Sequence, residues 1–262
     1  MSRMSQDPEP GTPGESGTEA ERLDRIEALL APAVEGVAEA GHRLRPAWRR
    51  VTRGEPRWPS TCAVLLAAAL QWLLPERLAI HPEWLLPGLE IALLLVLVLA
   101  DPYRIERVSW LYRWAGLALI AMISTANGWS AVHLVIGLVR GTEGSDAGPL
   151  LATGGSIWAT NVIVFALWYW EWDRGGPVAR VHAVRRYPDF LFPQMATPEL
   201  APEHWEPQFA DYLYLSFTNA TAFSPTDVMP LTRWAKLLML VQSAVSLLTV
   251  VLVVARAVNI LK

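Results

Sequence analysis

Apolar residues in this chain gather into long runs instead of recurring at short intervals. Residues 59–80, 84–100, 108–139, 151–172 and 233–259 are each almost continuous in Leu, Val, Ile, Ala and Trp. Each run approaches or exceeds the roughly 17–25 residues with which a helix crosses a ~30 Å hydrocarbon core. A further segment, residues 207–223, mixes Phe, Tyr and Leu with Asp211, Ser216, Thr218, Asn219 and Thr221. As a helix it spans only about 24 Å. Its polar side chains are costly against lipid, so it must line a cavity or be covered by protein. The pattern predicts an all-α, polytopic membrane fold of about five to six membrane-embedded helices, the short one preceding the last span.

The polar stretches divide the chain. Residues 1–18, rich in Pro, Gly, Ser and Glu, read as a disordered tail. Residues 19–58 read as a cytoplasmic amphipathic helix and a basic juxtamembrane segment. Leu23, Ile26, Leu30, Val34 and Val37 form the apolar stripe, and Pro32 bends or divides the helix. Such a helix suits either the membrane interface or self-association. A four-helix transmembrane region then occupies 59–173, a cytoplasmic loop 174–206, and the short segment with the final helix 207–262. No apolar core precedes residue 59, so the first span is expected to remain as its own anchor and not to be cleaved.

Composition supports this division and charge gives it a direction. The AVILMFWYC residues make up 52% of the chain, too many for an ordinary soluble domain of this size. Of 13 Trp, several stand at run ends (Trp58, Trp84, Trp110, Trp172, Trp234), where amphipathic rings favour the headgroup boundary. Arg43, Arg45, Arg49, Arg50, Arg53 and Arg57 precede the first run. Arg104, Arg107 and Arg113 lie around the second turnaround, and Arg174, Arg180, Arg185 and Arg186 follow the fourth run. The opposite side offers Arg77 and Arg140 among Glu76, Glu83, Glu143 and Asp146. Positive charge marks the cytoplasmic face, so the N-terminus and the 174–206 loop are expected there, in the plasma membrane. Cys62, the single cysteine, excludes an intramolecular disulfide and a Cys-based metal site. The net charge of −3 gives no reason to expect a nucleic-acid partner.

The stretch Ser216-Phe-Thr-Asn-Ala-Thr-Ala-Phe-Ser-Pro-Thr-Asp-Val-Met-Pro-Leu-Thr232 resembles the pore loop of potassium channels, S-F-T-T-L-T-T-V-G-Y-G-D-x-x-P-x-T. It keeps Ser216, Phe217, Thr218, Thr221, Asp227, Pro230 and Thr232 over about 50 residues of similarity. The resemblance implies a pore-helix-like segment before the last span and, for a conducting protein, a homo-oligomer, usually a tetramer. Ser224, Pro225 and Thr226 replace the Gly-Tyr-Gly filter. Pro225 fixes φ near −65° and drives Ser224 toward extended backbone. The ladder of inward carbonyls that strips potassium of water cannot form on such a sequence. A true channel loop enters from outside, whereas the loop before this one is expected inside. The arginine pattern leaves two solutions, a full but sheltered crossing by 207–223 or a cytoplasmic re-entrant half-helix, and a full crossing is the expectation. From residue 108 onward the chain also resembles actinobacterial-type integral membrane proteins of unknown function. That resemblance rests on Trp158-Ala-Thr-Asn161, Trp168-Tyr-Trp-Glu-Trp-Asp-Arg-Gly-Gly-Pro177, Pro188-Asp-Phe-Leu-Phe-Pro193 and Asp211-Tyr-Leu-Tyr-Leu-Ser-Phe-Thr218. It implies a membrane fold and no activity.

Candidate chemistry lies in the polar residues of the runs. Gln71, Glu90, His133 and Asn161 fall on four different spans at similar depth and are expected to form one layer, with His133 as the natural partner of Glu90. The layer reads either as a proton- or cation-responsive site or as interhelical hydrogen bonding. In the pore-like loop, Thr221, Ser224, Thr226 and Asp227 are the candidate residues, with Pro225 setting the backbone. Asn127-Gly128 is expected to kink or tilt its long run. Asp173 and Arg174 read as a helix-terminal charge pair before a Gly-Gly-Pro stop. Glu171 and Asp173 diverge too far on a helix to form a metal-binding pair. Phe190 and Phe192 are expected to press into the membrane interface. No phosphate loop, H-E-x-x-H, G-x-S-x-G or metal-spaced His/Cys group is present, so neither an enzyme, a cofactor nor a metal site is expected. Two functions remain, with the lipid bilayer as the common partner. One is a non-potassium-selective ion channel or transport-related protein. The alternative is a non-conducting membrane scaffold or partner-binding protein.

The arginine asymmetry gives a direct test of orientation. With Cys62→Ser as background, Ala183→Cys should resist an impermeant thiol reagent in intact cells. Labelling of that cysteine would reverse the orientation.

Overall fold

The computed structural model describes residues 54–100, 110–144, 146–185, 187–197, 199, 201–202, 205–222 and 227–261. The amphipathic stripe at 19–43, most of the arginines before the first run, and Ser224, Pro225 and Thr226 lie outside them. The described residues form eight α-helices and one two-residue β-pairing. The long helices follow the apolar runs: α1 Trp58–Trp72, α2 Leu85–Ala100, α3 Trp110–Arg140 and α4 Ala147–Trp172. Two short helices follow, α5 Pro177–Val181 and α6 Pro193–Ala196, each started by a proline whose missing N–H costs nothing at that position. Then come α7 Phe209–Ala222 and α8 Arg233–Ile260. Three helical stretches, Leu111–Arg140, Ala147–Gly175 and Arg233–Ile260, are long and apolar enough to cross a membrane. α3 runs uninterrupted through Asn127-Gly128.

The helices alternate in direction. Near the end of α4, here the proximal end, Glu55 ahead of α1 accepts a hydrogen bond from Trp170 Nε1 at 2.6 Å, and Arg113 of α3 faces Glu171. Trp234 in the first turn of α8 packs edge-on against Trp172. At the opposite, distal end Arg77 pairs with Glu143, and the Arg256 guanidinium donates to the Glu143 carbonyl. α1, α3 and α8 therefore run away from the proximal end, while α2 and α4 run toward it. α4 is the central element, with 67% of its most apolar window buried against 28% for that of α8. Its close approach to α8 depends on Gly154, where a Cβ would stand 2.7 Å from both Val253 methyls. Small residues allow such approaches between membrane helices. The outer surface stays apolar: Leu99, Leu237, Leu240, Leu248 and Val258 are all at least half exposed, as lipid-facing positions require.

The chain does not cross the bundle at 207–223. Tyr212, in the first turn of α7, donates to Asp173 Oδ2 at 2.6 Å at the proximal end. Ala220, near the other end of α7, accepts from Ser246, which lies midway along α8. By Leu231 the chain is back at the proximal end, where its N–H donates to the Asp189 carbonyl at 2.8 Å. Met229–Pro230 (β2) pairs antiparallel with Phe190–Leu191 (β1). The start of α7 and the β2 segment that precedes α8 therefore stand at the same end of the bundle, whereas a crossing would place them at opposite ends. With 14 residues, α7 is about 21 Å long, short of a hydrocarbon core.

A buried polar knot closes the proximal end. The Asp173 carboxylate accepts from the Asp189 and Phe190 N–H groups, the Tyr212 hydroxyl and Arg174 Nε. Arg174 holds a left-handed backbone (φ 53°), and its N–H is tied to Asp189 Oδ2 at 2.8 Å. The helix-terminal pair of Asp173 and Arg174 is present, but as the centre of the knot. Arg180 donates to Glu55 Oε1 from Nη2 at 2.8 Å and from Nε at 3.2 Å, and to the Trp170 carbonyl from Nη1. Burial works against the Arg180 charge. Tyr212, Glu55 and Asp173 outweigh it and hold the guanidinium above its ordinary range. Phe190 and Phe192 are buried inside the protein, against Tyr169 and Trp234 and against Tyr212 and Trp205, not at the membrane interface as expected. Residues two apart in an extended segment share a side, and aromatic partners within the chain cover both rings there.

Removing one partner of a buried ion pair leaves the other charge uncompensated, at about 3–5 kcal/mol. Arg180→Met and Glu55→Gln should each lower unfolding stability in detergent by that order, and the double variant should cost less than the sum. Two small, additive losses would separate Glu55 from the knot.

Candidate functional site

α7 brings two buried polar side chains, Ser216 and Asn219, in among the long helices. α7 carries Ser216 and Asn219 at i, i+3, on one face of the helix. That face turns toward α4 and α8. Ser216 Oγ donates to the Val162 carbonyl at 2.6 Å, where α4 is about 16 Å above Asp173. Gln242 of α8 donates to both the hydroxyl and the carbonyl of Ser216 and accepts from the Tyr169 hydroxyl at 2.6 Å. Asn219 Nδ2 donates to Gln242 Oε1 at 2.8 Å and to the Met239 carbonyl at 3.0 Å. Ser243 donates to Asn219, and Ser246 to the Ala220 carbonyl. Every polar side chain of this seam has a partner inside one chain. The arrangement suits a membrane interior, where each unpaired polar group is expensive and water is absent.

The opposite face of α7 is different. Tyr214, Phe217 and Thr221 are exposed, and the Thr221 hydroxyl donates back to the Phe217 carbonyl at 2.9 Å. Asp227, where the chain re-emerges, is exposed. Of the five pore-like candidates the structure describes Thr221 and Asp227 only. Ser224, Pro225 and Thr226 fall outside the described residues.

The polar layer forms in part. Gln71, in the last turn of α1, donates its amide to both Glu90 carboxylate oxygens at 3.3 and 3.2 Å, and Glu90 is fully buried. His133 does not join them. Its ring is stacked on Trp129 at a 4.2 Å centroid distance and bonded through Nδ1 to the Trp129 carbonyl. The 3.6-residue repeat points His133 along its own helix toward Trp129, which depth counting could not reveal. Asn161 is buried with its Nδ2 unpaired, and Asn127 is buried with Oδ1 unpaired. Among the described residues no cluster of three His, Cys, Asp or Glu could hold a metal ion.

Sequence reasoning missed Gln242 and Tyr169 as partners in the seam and Tyr212 as the tie to Asp173. One signal was available: Gln242, Ser243, Ser246 and Thr249 share one side of an otherwise apolar last helix. In comparisons with known proteins, no family model, curated protein or solved structure matches the chain.

Two tests follow from this geometry. Gln242→Leu strands Ser216, Asn219 and Tyr169 together and should cost about 1–3 kcal/mol in detergent unfolding, more than any one of their own substitutions. A near-neutral Gln242→Leu would show that the seam is not closed. Gln71→Leu and Glu90→Leu should combine non-additively, whereas His133→Gln should add independently to either. Coupling to His133 would restore the layer expected from sequence.

Proposed function

We propose that the chain is a multi-pass plasma-membrane protein that acts as a non-conducting scaffold or binding protein, with its pore-loop-like module serving as a packing element. α1, α2, α3, α4 and α8 are the five crossing helices, and α7 is the re-entrant sixth. The N-terminus and residues 174–206 lie on the cytoplasmic side, from which the hairpin enters. The observation that carries this reading is the seam. Ser216 and Asn219, the two buried polar side chains of α7, are bonded to Val162, Met239 and Gln242 of the same chain and not left open to a water-filled path. The surface α7 leaves outward is dominated by Tyr214 and Phe217. Ions crossing a membrane need hydrated walls or stripped coordination sites, and an aromatic face supplies neither. Among the described residues one chain supplies the partners of Ser216 and Asn219, which supports a reading that needs no second copy.

A second reading is supported by Thr221 and Asp227, exposed near the tip and the exit of the hairpin. In a tetramer they would form rings that attract hydrated cations without selecting potassium. Planar-bilayer recording with native mass measurement separates the two. The scaffold reading expects a folded protein of monomer mass that passes no current. A cation current reduced by Asp227→Asn, from a tetramer, would replace it with the channel reading. Potassium selectivity like that of a true filter would contradict both, because Pro225 blocks the carbonyl ladder.

A further inference from the structure

At the proximal end, away from the hairpin, α1, α3, the last turns of α2 and α4, and the Gly175–Val184 segment enclose a cavity of about 380 Å³. That volume lies in the range of sites that take small organic ligands. Its depth is apolar, lined by Val64, Leu94, Ile120 and Leu167. One to two helical turns nearer the proximal end the walls carry Arg57, Arg113 and Glu171. The cavity therefore has the polarity of a membrane leaflet, with charge at the boundary and hydrocarbon beneath.

Glu171 is the informative group. It is 7% exposed, and among the described residues its carboxylate makes no hydrogen bond. Its one ion pair is with Arg113 Nε at 4.0 Å, well beyond the roughly 2.7–2.9 Å of a charge-assisted hydrogen bond. Gly176 backs it at φ 99°, where a Cβ would stand 3.3 Å from Glu171 Oε1 and 2.9 Å from its carbonyl oxygen. The glycine lets the backbone close behind the carboxylate, whose other side is the cavity. The Glu171 carboxylate faces the cavity and the positive charges of Arg180 and Arg113, and a donor brought by a ligand would fill the hydrogen-bonding capacity that no described residue takes up. The mouth holds both signs of charge. A purely anionic head would leave Glu171 unsatisfied and repelled, and a purely cationic head would meet two guanidinium groups.

We propose that this cavity binds a phospholipid with a primary ammonium in its head, the phosphoethanolamine class. One acyl chain occupies the apolar depth between α1, α3 and α4. The phosphate takes Arg113 and Arg57, since guanidinium matches phosphate geometry with paired donors. The ammonium, with three N–H donors, approaches Glu171 from the cavity side, while Arg113, held only loosely at 4.0 Å, turns to the phosphate. The site shares no residue with the hairpin, so it stands or fails independently of the scaffold reading.

The test uses the full chain, delipidated in mild detergent and offered equal amounts of phosphatidylethanolamine, phosphatidylcholine and phosphatidylglycerol with identical chains. Retained lipid is read by native mass spectrometry. The expected result is retention of phosphatidylethanolamine at least about tenfold over the other two, the effect of one hydrogen bond to a charged group. Phosphatidylcholine tests the N–H donors, because its quaternary ammonium has none. Glu171→Gln should abolish the preference, and Arg113→Gln should weaken retention of all three phospholipids. Gly116→Leu, where an added Cβ meets nothing within 4 Å, fills the cavity and should displace lipid with little strain. A matching elution profile for each variant shows that it folds. Equal retention of phosphatidylglycerol, or retention indifferent to Glu171→Gln and Gly116→Leu, would overturn the proposal. So would failure of any lipid to bind because another segment of the chain fills the cavity.

Discussion

The Asp173 carboxylate is the interaction on which the rest of this structure turns. It lies fully buried at the end of the central helix and accepts from four groups on three different segments. Asp189 brings the loop back over α4, and Tyr212 fixes the start of α7. Asp189 in turn accepts from Trp234 and holds Leu231, which fixes where the hairpin leaves and α8 begins. A charge this deep is tolerable only with its hydrogen-bonding capacity filled. That demand makes the chain fold back at one end instead of continuing through the bundle.

The same constraint operates farther up the hairpin with uncharged groups. Backbone and side-chain polar groups at membrane depth are admissible where protein, not lipid, covers them. α7 meets this by wedging its polar face between α4 and α8, with the Gln242 amide joining Ser216, Tyr169 and Asn219. The wedge explains why a helix too short to cross can be stable there. It also accounts for the polar stripe on α8, a helix otherwise suited to lipid on most of its surface.

Much of the helical framework was legible in the sequence. The runs at 108–139, 151–172 and 233–259 became α3, α4 and α8, the helices long and apolar enough to cross a membrane, while the runs at 59–80 and 84–100 hold the shorter α1 and α2, of 15 and 16 residues. The obligation of residues 207–223 to be covered was legible too, from Ser216 and Asn219. Whether that segment crosses was not. The answer lies in contacts of Tyr212 with Asp173, Asp189 with Asp173 and Leu231 with Asp189, far apart in the numbering. The partner of Glu90 was misread for a related reason. Depth can be counted along a helix, but azimuth decides contact, and it turns His133 toward Trp129 and Gln71 toward Glu90. Arg180 of the knot stood in an arginine count used for orientation, which gives side but not pairing, and its partner Glu55 was not singled out at all. The cavity at Glu171 left no sequence signal, since its walls come from four helices and a loop.

The re-entrant path is tested most directly by accessibility at both ends of the hairpin. In a Cys62→Ser background, Gln208→Cys and Leu231→Cys place thiols at exposed positions just before α7 and just before α8. Both should react with an impermeant reagent from the same face of sealed, oriented membrane vesicles, and neither from the other. Labelling of the two from opposite faces would mean that residues 209–231 cross the membrane, contradicting the fold-back set by Asp173.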